Sequence, residues 1–267
     1  MTGALKYEWV RIRTIASTYW LSGIAILLNA VVCFIIALSV TASNVDDLDV
    51  GQVTTWTWTA GASAPITPVL AGVFFAVMGV MAMGHEYRYG TNKATLSAIP
   101  DRIAVLAAKV VMLSLWVVGV VAVSLLLDLG ITWLFLDGPD FEAAAWRPIV
   151  NYFGYCLGFA LAGFGLAAIL RSQVGALVAV LVWPLVLEPI AYGILNFIGE
   201  STNAGVGKLA NLLPASAGRR AMFDPYDIFA GFGALDTWGI AASVVVFWAA
   251  VLGLVLAGSA LFIKRDA

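Results

Sequence analysis

The chain holds one histidine, His85, and it stands directly before Glu86. A His–Glu pair opens the zinc-hydrolase pattern H-E-x-x-H, in which two imidazoles one helical turn apart hold the metal and the carboxylate activates water. That chemistry stops at the pair, because there is no second histidine. A lone imidazole also leaves no Ser–His or Cys–His couple to assemble inside a membrane. Cys33 and Cys156 both fall in apolar runs and read as helix- or lipid-facing thiols, not as a disulfide or metal pair. There is no G-x-x-x-x-G-K-[S/T] loop, so the chain has no phosphate-loop route to ATP hydrolysis. No residue is therefore assigned to catalysis, to a metal or to a cofactor held by this chain. A net charge of −2 lacks the basic character that nucleic-acid binding needs.

The polar side chains gather instead in one island, "GHEYRYGTNKATLSAIPDR", from Gly84 to Arg102, with apolar sequence on both sides. Its punctuation is local. Thr91 is expected to N-cap a short helix over "NKATLSAI", and Pro100 ends that helix. Asp101 then caps the next helix, where its negative charge suits the N-terminus. Leu96 and Ile99 fall on one side of the short helix and Lys93 on another. A short, rigid, partly apolar surface helix reads as a docking element for another protein.

The elements that must carry this island are membrane helices. Hydrophobic residues make up 62% of the 267, charged residues 11%, and mean hydropathy is +0.96. A soluble domain is nearer half apolar and a quarter charged. Six segments approach the roughly 20 apolar residues that a bilayer core requires. They run about 20–41, 65–84, 103–127, 150–170, 174–198 and 238–263. The expectation is one all-α membrane domain spanning 1–267. Ten of the fourteen Lys and Arg fall at the N-terminus, in the 84–109 loop, at Arg171 and at the C-terminus. The opposite side is acidic. Positive charge favours the cytoplasm, so both termini and the island at 85–102 are placed there.

Residues 1–19 are too polar to span. Leu5, Trp9, Ile12, Ala16 and Tyr19 recur on one helical face, with Lys6, Arg11 and Arg13 elsewhere on the wheel. That pattern predicts a helix lying in the cytoplasmic headgroup layer. The stretch 199–237 is the longest outer connection. Its "LANLLPASAGRRAMF" is too apolar for a solvated loop, so short outer or re-entrant helices are expected between spans 5 and 6. Glu188, between Pro184 and Pro189, lies roughly 24 Å into its span. Two readings stay open: it lines a substrate exit or pins a broken helix, or it is solvated at the outer interface. Asp128 reads as a solvated acid near the outer surface. Trp116 and Trp183 sit deep enough to touch an amphipathic substrate, although packing is the preferred reading of both. Gly154, Gly158 and Ala162, and Ala249, Gly253 and Ala257, form four-spaced small stripes expected to pack helices within the chain.

"EYRYGTNKATLSAIPDRIAVLAAK" (Glu86–Lys109) resembles the permease subunits of type-2 class ABC exporters. Their pattern runs Glu-x-Arg-x-Gly-Thr, a short helix with Thr-Leu, Pro-x-Arg, then a Lys. The matching positions are Glu86, Arg88, Gly90, Thr91, Thr95, Leu96, Pro100, Arg102 and Lys109. "LKYEWVRIRTIASTYW" is similar to the start of such permeases from high-GC Gram-positive bacteria, through Glu8, Trp9, Arg13, Ser17 and Thr18. His85 departs from the small polar residue usual there. The resemblance covers essentially the whole chain. It implies a permease paired with a second copy or a sibling in the cell membrane. Beneath it, two cytoplasmic ATPase subunits would bind ATP and Mg. The island would be the coupling helix, with Glu86, Arg88, Gly90, Thr91, Lys93, Thr95, Leu96, Ile99 and Arg102 at the ATPase contact. The N-terminal helix, with Glu8, Trp9 and Arg13, would rest on the ATPase too. The cargo would be hydrophobic or amphipathic, since the spans carry almost no charge. The competing readings are a non-transporting anchor or channel subunit, and an intramembrane enzyme.

Overall fold

A computed structural model describes residues 2–43, 67–135, 146–201, 204–222 and 238–265, and the elements among them are all helical. Six helices are long and apolar enough to cross a bilayer, at Ala16–Ala42, Leu70–Tyr89, Arg102–Phe135, Trp146–Leu170, Gln173–Gly199 and Ile240–Lys264. The chain is thus an all-α, multi-pass membrane protein. The elements are α1 (Thr2–Thr14), α2 (Ala16–Ser43), α3 (Thr67–Tyr89), α4 (Asn92–Ala98), α5 (Arg102–Phe135) and α6 (Trp146–Leu170). The fifth crossing is α7 (Gln173–Val182), a π-turn (Trp183–Leu187) and α8 (Glu188–Ser201). Between it and the last crossing, α11 (Ile240–Arg265), lie α9 (Ala204–Gly207), a 3₁₀ turn (Lys208–Leu212) and α10 (Pro214–Met222). These last are the short helices expected from the apolar character of the connection. The part of 199–237 from residue 223 onward lies outside the described residues.

The spans divide into centre and rim. α3 and α6 bury 67% and 61% of their most apolar stretches inside the protein, whereas α2 and α11 bury 22% and 17%. Glycine makes the centre possible. A Cβ on Gly79 would sit 1.8 Å from the Ala160 carbonyl oxygen, and one on Gly163 would sit 2.0 Å from that of Ala76. The α3 and α6 backbones therefore touch where no side chain fits. This close approach is what packs membrane helices when lipid supplies no hydrophobic drive. α6 meets α11 in the same way at Gly165 and Gly258, whose Cβ would lie 2.7 Å from the Gly165 oxygen. About three turns further along the same pair of helices, Phe247 stacks on Tyr155, with centroids 5.7 Å apart.

The small stripe expected on the last span does not pack within the chain. Ala249, Gly253 and Ala257 lie on the exposed face of α11, and a Cβ on Gly253 meets nothing. Phe247, Val251 and Gly258 face α6 instead, because bulk on one side of α11 fills the groove that the α6 glycines open. On α6, Gly158 does face Phe247, as its stripe predicts.

Connections fix the order. Only Arg171 and Ser172 separate α6 from α7. Arg171 takes the left-handed conformation (φ 51°), and the Ser172 hydroxyl accepts the Gly175 N–H at 3.1 Å to start the next helix. So short a link forces α6 and α7 to run antiparallel as neighbours. The fifth crossing loosens at Pro184, which lacks an N–H to give. The Glu188 N–H reaches back five residues to the Trp183 carbonyl, forming the π-turn.

Candidate functional site

α4 is hung between two chain breaks. α3 ends with Gly90 in the left-handed region (φ 66°), and the Thr91 N–H returns to the Glu86 carbonyl at 3.1 Å. This is the six-to-one closure of a Schellman turn. Thr91 holds the N-cap position that the sequence suggested, but it does not cap with its side chain. Its backbone is already helical. The turn that closes α3 feeds straight into α4, so Thr91 closes one helix while its carbonyl accepts the Thr95 N–H of the next, at 3.0 Å. At the other end Ile99 is extended, as the residue before proline prefers to be. Asp101 does cap α5, accepting the Ala104 N–H at 3.0 Å.

α1, α3 and α5 meet at a buried ionic cluster beside this insert. The Lys109 ammonium donates to Glu8 Oε1 at 2.7 Å and to Glu86 Oε1 at 2.5 Å. Arg11 Nε donates to Glu8 Oε2 at 2.7 Å. Two carboxylates and two cations cancel, which is the condition under which charge is tolerated away from water. Glu8, Glu86 and Lys109 are almost wholly buried. The three come from positions 8, 86 and 109, so the cluster ties three helices together at one point.

This geometry shows which face of the N-terminal helix meets the bundle. α1 ends at Thr14 rather than at residue 19, and the first span begins at Ala16. The inward face is Ala4, Glu8 and Ile12, while Trp9 is exposed and Leu5 half-buried. Glu8 sits on that inward face because its charge is neutralised by a partner 101 residues away, a contact the apolar pattern does not register. Arg13 lies over the Trp9 ring at 5.6 Å, on the outside.

Around the cluster, the insert divides into inner and outer residues. Thr95 is buried, with its hydroxyl 3.5 Å from that of Tyr7 on α1. Leu96 and Ile99 are half-buried, and Leu96 packs against the core. Thr91, Ala94, Ser97 and Ala98 form the exposed face. The side chain of Lys93 lies outside the described residues. Arg88 is exposed and lies over the Tyr89 ring at 5.5 Å. Arg102 donates to the Ile263 carbonyl at 2.9 Å, tying the foot of α5 to the end of α11. His85 Nε2 lies 2.8 Å from the Met81 sulfur. Among the described residues no three His, Cys, Asp or Glu side chains converge as metal ligands would.

The three residues assigned to a substrate path do not line one passage. Trp116 donates to Ser22 Oγ at 3.0 Å and packs edge-on against Tyr19, joining α5 to α2. It borders a cavity of about 30 Å³ with Arg11, Met81 and Lys109, room for roughly one water. Trp183 and Glu188 pair with each other on the fifth crossing, Nε1 to Oε2 at 2.9 Å. Glu188 is 1% exposed, which removes the solvated reading. Its other oxygen accepts the Ser216 N–H at 2.5 Å, in the first turn of α10. It pins the broken helix to α10, where an acid suits the helix N-terminus.

Asp128 also departs from the sequence reading. α5 runs on to Phe135, so Asp128 lies about 10 Å short of its end and is fully buried rather than solvated. In comparisons with known proteins, the chain matches no family model and no curated sequence.

Proposed function

We propose that the chain is the membrane-spanning subunit of an ATP-driven exporter of the type-2 class. In this reading two such chains, identical or sibling, form the path through the cell membrane. Two separate cytoplasmic ATPase subunits, holding ATP and Mg, drive it from below. The observation that carries the reading is α4. A seven-residue helix held at both ends by a turn and a proline break has an exposed face of small residues. Its inner face is tied to α1 through Thr95 and Tyr7. It joins α3 at Glu86, one member of the ionic cluster that also grips α1 and α5. A push on the exposed face would pass into three helices at once without bending the insert.

The near absence of charge in the spans supports a hydrophobic or amphipathic cargo, met from the lipid or the inner leaflet. The resemblance to permeases supports export as its direction. The test is hydrolysis. The purified chain has no ATPase activity alone, and the complex recovered from native membranes hydrolyses ATP faster in the presence of cargo. Hydrolysis by the chain alone, or an unstimulated complex across a panel of amphipathic compounds, contradicts the proposal.

A further inference from the structure

The end of the bundle away from α4 holds a further buried polar group, at Asp128. α2 and α6 pack against α5 around it. Asp128 Oδ2 accepts from Asn29 Nδ2 on α2, and Asn29 Oδ1 accepts from the Tyr152 hydroxyl on α6 at 3.3 Å. Two other donors lie nearby: Thr132 Oγ1, at 2.8 Å, and Cys33 Sγ, at 3.6 Å, both donate to the backbone carbonyl of Asp128, and the Cys33 thiol also faces its carboxyl. Oδ1 is buried and has no hydrogen-bond partner among the described residues.

Among the described residues no cation acts on a carboxylate there. The Glu8–Arg11–Glu86–Lys109 ion pairs lie in the other cluster. Lys109 itself is about 28 Å away along α5. The titratable groups facing Asp128 are Cys33 from α2 and Tyr152 from α6, with Cys156 one turn beyond. α3 carries no titratable side chain before His85, and α11 carries none before Lys264. The segments outside the described residues contain no Lys, Arg or His, so they supply no partner either. An isolated carboxylate in such surroundings neutralises by taking a proton. The Asn29 amide suits that state as well as the other. Turned over, it presents its oxygen to the acid O–H and its N–H to the Tyr152 hydroxyl.

We propose that Asp128 is a proton-binding site within the membrane, its carboxyl carrying a proton at neutral pH between α2, α5 and α6. The site is independent of how the chain is driven, because it rests on charge balance alone. The neutral acid joins the three helices through Asn29 and Tyr152 at the end where no other buried ionisable acid links them.

Infrared spectroscopy of the full chain in lipid nanodiscs tests it. At neutral pH the C=O stretch of a protonated carboxylic acid is present in the wild type and lost in Asp128→Asn. Asn29→Leu keeps the band and moves it to higher frequency, since the acid loses its hydrogen-bond partner. Asp128→Asn, a neutral side chain of the same shape, also leaves the thermal midpoint unchanged. A wild-type spectrum with no such band overturns the proposal, as does a band unaltered by either substitution. So does ionisation of Asp128 near the ordinary aspartate pKa of about 3.9.

Discussion

Lys109 on α5 and Glu8 on α1 are 101 residues apart in sequence and 2.7 Å apart in space. The same ammonium reaches Glu86 on α3. A basic residue inside the start of a span is costly unless it is paired, and here the pairing decides where the N-terminal helix lies.

Removing the cation alone is therefore severe. Lys109→Met leaves two buried carboxylates facing Arg11 only, and breaking a buried pair in this way costs about 3–5 kcal/mol. The thermal midpoint in detergent falls accordingly. Adding Glu8→Gln and Glu86→Gln to Lys109→Met recovers most of the loss, since neutralising a whole buried cluster is far cheaper than leaving half of it. Equal destabilisation in the single and triple variants would show that the pairing is not what holds α1.

Two glycines separate close packing from open surface. A methyl group on Gly163 collides with the Ala76 carbonyl, so Gly163→Ala forces α3 and α6 apart and costs on the order of 1–3 kcal/mol. Gly253→Ala meets nothing and leaves the thermal midpoint of the monomeric chain where it was or slightly higher. Thermal unfolding of the two variants side by side checks the contrast. A neutral Gly163→Ala would mean that the α3–α6 backbones are not in contact.

Glu188 joins the broken fifth crossing to α10. Glu188→Ala leaves the buried Ser216 N–H without its acceptor, a loss of about 1–3 kcal/mol. α10 then detaches before the bundle unfolds. A cysteine placed at the fully buried Ala217 becomes reactive to a water-soluble maleimide in Glu188→Ala and stays protected otherwise. Protection in both backgrounds would place the hold on α10 elsewhere.

How much of this was legible from sequence depends on what each residue's partner is. The six crossings were, because length and hydropathy are local properties. So was the Asp101 cap, whose bond closes within three residues. The ionic cluster was not, because Glu8, Glu86 and Lys109 meet only after three helices are placed. The signal was nonetheless present: Glu8 falls four residues from both Ala4 and Ile12, on the inward stripe. Asp128 was misplaced because its span was read as ending at residue 127, whereas apolar sequence carries the helix on to Phe135. The small residues of α11 misled in the opposite direction, since four-residue spacing marks a smooth face without saying what lies against it.

The exposed face of α4 carries the central claim. A photo-crosslinking residue in place of Ala94, on that face, introduced in native membranes, reads the partner directly. The account predicts one dominant adduct, to a separate nucleotide-binding ATPase subunit, with a yield that changes when ATP hydrolysis is blocked. Placed instead at the buried Val80 within the bundle, the same probe gives no such adduct. Adducts to lipid alone, or to a protein that does not hydrolyse ATP, would contradict the reading of this chain as the driven half of an exporter.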